Sequence, residues 1–136
     1  MLQAYSSNIS FAANTPIPLN NAVITKGCAE KLTAPATIEL NKRGVYMVEV
    51  DGYATGADAG VASIQLYRDG IAVPCAQSQF NAAAGDVMNF QFQTLIQVQQ
   101  NNCNCNCLTS SVVLQIMNGE EALTDGYVNV VVTKLC

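Results

Sequence analysis

The residues of this chain with the most distinctive chemistry are its cysteines, Cys28, Cys75, Cys103, Cys105, Cys107 and Cys136. Three of them lie in NNCNCNCL. Extended backbone repeats every second residue, so Cys103, Cys105 and Cys107 would point to one side of such a segment. Thiolates gathered in this way suit zinc or an iron–sulfur cluster. Their spacing argues against it, because paired ligands of structural zinc sites are separated by roughly two to four residues and the chain contains no histidine. No bound metal is expected. The even number of cysteines permits disulfides within the chain, with a connectivity that the sequence leaves open. Bridges between subunits, or reduced thiols in a protein assembled in a cytoplasm, are the other open readings.

Without histidine there is no Ser-His-Asp or Cys-His arrangement, and the usual general base near neutral pH is missing. Carboxylates remain. Glu49 and Asp51 fall on one face of an extended stretch, close enough to share a proton or a calcium ion. Asp58, Asp69, Asp86, Glu120, Glu121 and Asp125 sit in turn-rich pieces, where acids are commonly solvated or bonded to the local backbone. Neither GxxxxGK[ST] nor GxGxxG occurs. The expectation is a protein that is not an enzyme, with no catalytic residue and no cofactor.

What must position these residues is a single packed domain over residues 1–136, a length that buries roughly two thirds of the unfolded surface. Half the residues are apolar and only 12% are charged, too few to cover a solitary globule. Part of the surface is therefore expected to be buried against copies of the chain or a larger assembly. The net charge is −4, and Lys26, Lys31, Lys42, Arg43, Arg68 and Lys134 are scattered along the sequence without a basic stripe, so nucleic acid is not an expected partner. The segment MLQAYSSNIS lacks a basic n-region and an apolar h-region, and no apolar run is long enough to cross a bilayer. Neither a secretion signal nor membrane insertion is expected.

The periodicity is that of strands. In VMNFQFQTLIQVQ, Met88, Phe90, Phe92, Thr94, Ile96 and Val98 share one face, and Asn89, Gln91, Gln93, Gln97 and Gln99 share the other. GVYMVEVDGYA and VASIQLYRDG read as further strands, the second ending at an Asp69-Gly70 hairpin signal before IAV. LNNAVIT, TIEL, SSVVLQIM and GYVNVVVTKL complete the set, separated by short turn-rich pieces. The total is about eight to ten strands with no convincing helix, as in an all-β, two-sheet antiparallel sandwich or jelly roll. In the last strand both faces are apolar: Val128, Val130 and Val132 on one, Tyr127, Val131 and Leu135 on the other. A neighbouring subunit or a loop folded over the strand must cover the second face.

Four pieces in order resemble the tumour-necrosis-factor-like jelly-roll superfamily, which includes complement-type globular heads and bacterial spore-surface and phage fibre or decoration domains. They are IELNKRGVYMVEVDGYA, SIQLYRDGIAV, AAGDVMNFQF and GYVNVVVTKL, spanning roughly residues 36–136. The resemblance implies a tight homotrimer, with Phe90, Phe92, Tyr127 and Val131 as candidates for the trimer interface or the core. A collagen-like stalk and a leader are not seen, which favours a bacterial or phage protein. The expectation is a virion structural module (capsid decoration, head fibre or tail adhesin), assembled in the host cytoplasm and bound to a virion scaffold, with a host receptor or glycan as a further partner. A spore-surface or lectin-like module that holds a glycan is the alternative. Residues 1–21, with Pro16 and Pro18, read as an extended docking arm or as an edge strand.

Overall fold

The computed structural model describes residues 1–33, 35–99 and 112–136. Cys103, Cys105 and Cys107, with the expectations attached to them, lie outside the described residues. The described chain forms β1 (Leu2–Phe11), β2 (Asn21–Thr25), β3 (Glu30–Thr33), β4 (Thr37–Leu40), β5 (Gly44–Gly56), β6 (Gly60–Arg68), β7 (Ile71–Ala82), β8 (Val87–Val98), β9 (Val112–Asn118) and β10 (Leu123–Lys134). Two antiparallel five-stranded sheets result, sheet I in the order β2-β1-β10-β5-β8 and sheet II in the order β3-β4-β9-β6-β7. This is the expected two-sheet jelly-roll sandwich, and its strands are the expected kind and number.

Period-two alternation closes it. On β8, Phe90, Phe92, Thr94, Ile96 and Val98 are buried while the intervening residues from Asn89 to Gln97 are exposed. Val48 and Val50 of β5 lie opposite Val132 and Val130 of β10, and all four are buried with Tyr46, Val128, Leu2 and Ala4. Sheet II contributes Ile38, Leu40, Ile64, Leu66, Leu114 and Ile116. The Asp69-Gly70 dipeptide joins β6 to β7 with φ of 50° and 81°, as a two-residue type I′ hairpin requires. Asp69 also ties the hairpin to β9, since its amide donates to the Val113 carbonyl at 2.8 Å and its Oδ1 accepts the Val113 amide at 2.9 Å.

The structure differs from expectation at three places. Residues 1–21 hold β1, which lies between β2 and β10, so β1 is an inner strand of sheet I and not an edge strand. Leu2, Ala4, Phe11, Ile17 and Leu19 anchor residues 1–21 in the core. β7 runs far beyond IAV, to Ala82, and the short β3 has no counterpart among the expected strands.

Buried polar groups hold the connections. Ser6 is fully buried; its Oγ donates to the Pro18 carbonyl and accepts the Asn20 amide, both at 2.7 Å. Glu30 accepts from the Met1 ammonium and from the Lys134 amide, each at 3.0 Å, joining β3 to both strands at one end of the β1–β10 pair. Asn118 Nδ2 donates to the carbonyls of Phe11, Ala12 and Glu121 at 3.1, 3.1 and 2.8 Å. Asn118→Ala would strand three carbonyls, and a loss of about 2–4 kcal/mol is expected as a lower urea midpoint at unchanged slope. Asn118→Asp should lose at least as much at neutral pH, because a carboxylate would face carbonyl oxygens instead of donating to them.

Candidate functional site

Because inward and outward residues alternate, the outer face of sheet I is settled once the core is. It presents Gln3 and Tyr5 from β1, Tyr127, Asn129 and Val131 from β10, Met47, Glu49, Asp51 and Tyr53 from β5, and Gln91, Gln93 and Leu95 from β8. Tyr53, Val87 and Leu95 are exposed large apolar side chains, and Tyr127 and Val131 are half-buried although their strand lies inside the sheet. Among the outward residues just named, Glu49 and Asp51 carry charge.

The tyrosines form a row across three strands. Tyr127 stacks on Tyr53, directly opposite it on β5, with centroids 5.4 Å apart and planes 21° apart. On its other side Tyr5 lies 6.4 Å away at 39°. Beside the row, Gln3 donates to Asn129 Oδ1 at 3.1 Å and Asn129 donates to Asp51 Oδ1 at 3.0 Å. Partial burial, then the Asp51 charge and the neighbouring tyrosines, pushes the Tyr127 phenol above its usual range. A concavity of about 350 Å³ opens next to the row, lined by Asp51, Gly52, Tyr53, Asn89, Gln91 and Tyr127. Gly52 lines it with backbone alone: a Cβ there would meet the Tyr127 carbonyl and would lie 2.6 Å from the Phe90 ring.

The residues singled out from sequence divide by face. Phe90 and Phe92 point into the sandwich, 2% and 8% exposed, and Phe90 meets Phe11 edge-on at 6.3 Å. Tyr127 and Val131 point outward. Tyr5, Tyr53, Gln3 and Asn129 were not singled out; each alternates correctly on its own strand, but only the cross-strand register brings them together. Asp51 is engaged with Asn129, and among the described residues no group of three or more His, Cys, Asp or Glu side chains is placed to hold a metal ion.

Cys28, Cys75 and Cys136 are free and exposed, so none of them is in a disulfide here. Cys75 Sγ lies 3.5 Å from Thr94 Oγ1, between the neighbouring edges of the two sheets. Cys28 is hydrogen-bonded to the Lys42 side chain, and that bond and the ammonium's charge lower its thiol pKa.

No family model and no curated protein matches the chain. Solved structures do. The vertex protein P5 of PRD1 aligns over 99% of this chain and 96% of its own, with a TM-score of 0.61 and 14% identity. The globular domain of the zebrafish complement 1qA protein aligns over 96% and 94%, with a TM-score of 0.67 and 6% identity. The Eiger TNF of S. frugiperda aligns over 99% and 92%, with a TM-score of 0.62 and 15% identity. The chain has the TNF-like jelly-roll fold that its ordered segments suggested.

Two outcomes test this geometry. Gly52→Ala should cost about 1–3 kcal/mol in chemical denaturation, because the added methyl must displace the Tyr127 backbone or the Phe90 ring. Alkylation of Cys28, followed by peptide mass spectrometry, should persist to lower pH than expected for an unperturbed thiol. Lys42→Gln should move that profile upward, since removing the ammonium removes what favours the thiolate.

Proposed function

We propose that the chain is a non-enzymatic assembly module that forms a homotrimer through the outer face of sheet I and serves as a structural part of a virion. The observation that carries the first half is that face: an inner strand, β10, shows Tyr127 and Val131 outward, flanked by exposed Tyr53 and Leu95. The apolar side chains on that face cost free energy in water at roughly 25 cal/mol per Å², which a second copy would recover. A closed three-fold ring needs a heterologous contact, with this face on one subunit meeting a different patch on the next. By the same reading Tyr127 and Val131 belong to the interface, whereas Phe90 and Phe92 support it from within the core. Likeness to a vertex protein and to complement and TNF domains supports assembly, and the first of these supports the virion role.

A lectin-like role has one observation in its favour, the concavity where exposed Tyr53 stands beside Asp51, Asn89 and Gln91. Aromatic rings with adjoining carboxylate and amide groups suit a sugar. The two readings compete for the same surface.

Light scattering on the purified chain separates them. The trimer predicts a mass near three times 14.4 kDa, reduced to a folded monomer by Val131→Asp combined with Leu95→Asp. A wild-type monomer would overturn the trimer, and saturable sugar binding lost in Tyr53→Ala would then install the lectin reading. Copurification of the trimer with particles tests the virion role.

A further inference from the structure

The cations that look scattered along the sequence are gathered by the fold. One end of the sandwich, the near end, holds the starts of β1 and β5 and the end of β10. It also carries the β2–β3 and β4–β5 connections and the β6–β7 hairpin tip, because Lys26 bonds to Met1 and Asp69 to Val113. All six Lys and Arg residues fall there: Lys26, Lys31, Lys42, Arg43, Arg68 and Lys134. Three side-chain carboxylates share that end with the six cations. Glu30 is buried against the Met1 ammonium and the Lys134 amide, Glu39 lies opposite Lys31, and Asp69 accepts the Val113 amide. The far end carries the β5–β6, β7–β8 and β9–β10 connections, with Asp58, Asp86, Glu120, Glu121 and Asp125 and no Lys or Arg.

We propose that the near end docks onto the far end of a second copy, so that units stack head to tail along the strand direction. β5 spans thirteen residues, about 40 Å at roughly 3.3 Å per residue. The Debye length is about 8 Å at physiological ionic strength, so the two ends cannot neutralise one another within a chain. Between copies they can. A net charge of −4 opposes approach in other orientations, whereas near-to-far contact sets unlike charges face to face. The contact is heterologous and translational, so it does not close and extends into a stack. It uses the ends, leaving the outer face of sheet I to the lateral trimer. The exposed loop positions Lys26, Arg43, Asp58 and Glu120 are where the surfaces meet.

Sedimentation velocity on the full chain, across a NaCl series from about 300 to about 50 mM, reads the contact directly. The mass at high salt reports the lateral unit, and growth in multiples of that unit as salt falls reports stacking, so either reading can fail without the other. Lys26→Glu with Arg43→Glu, and separately Asp58→Lys with Glu120→Lys, should each weaken stacking by at least about tenfold, and mixing the two variants should restore growth. Placing all four substitutions in one chain should also restore it. Mass unchanged with salt, or growth indifferent to these substitutions, would overturn the proposal. So would binding of poly-glutamate at the near end by a wild type that does not stack, which would assign that end to an acidic polypeptide.

Discussion

Neither sheet can exist without the other, because each strand has one face that must be dry, and the pairing of β10 with β5 does most to supply it. Val130 sits opposite Val50 and Val132 opposite Val48, all essentially inaccessible to water. β1 and β8 extend the same dry surface on either side, through Leu2 and Ala4 and through Phe90 to Val98. Slipping this ladder by one residue would expose the valines and bury Asn129, Glu49 and Asp51, a penalty large enough to fix the register. Gly52 belongs to the same constraint, since at this point β5 passes so close to Tyr127 and Phe90 that a Cβ does not fit.

The outer face of sheet I follows as the complement of that parity. Once Val128, Val130 and Val132 turn inward, Tyr127, Asn129 and Val131 must turn outward. The cross-strand register then decides their neighbours, stacking Tyr127 on Tyr53 and joining Asn129 to Asp51. A doubly apolar β10 is therefore divided: one face stabilises the sandwich, and the other carries Tyr127 and Val131 to the outer face of sheet I.

Where the sequence could be read, the signals were local. β8 alternates over twelve residues, and Asp69-Gly70 encodes a two-residue turn by the backbone preferences of its own members. The double character of β10 was visible in the same way. β1 was obscured because fully buried Ser6 breaks the apolar alternation, and Asn8, at φ 54°, marks an irregularity between Ser6 and Ile9. β3 is only four residues long and takes its place from pairing with β4. The tyrosine row depends on three strands and on an irregularity between Thr124 and Tyr127, which shifts the β10–β5 register before the rings meet. No spacing rule along one strand contains that information. Phe90 and Tyr127 looked alike as aromatic candidates, and strand parity separates them.

Charge was legible as an amount but not as a pattern. Lys26, Arg43 and Arg68 are far apart in sequence, yet antiparallel strands return the chain to the same end at every second connection. The connections after β2, β4 and β6 therefore share one end, while those after β5, β7 and β9 share the other. A residue's end is fixed by the parity of its connection, just as its face is fixed by the parity of its position along a strand. These two parities give the sandwich two kinds of surface at right angles: a side face where tyrosines, Val131 and Leu95 stand among polar residues, and unlike charges at its ends. Association driven by the first is short-ranged and tolerant of salt, whereas association driven by the second is screened by it.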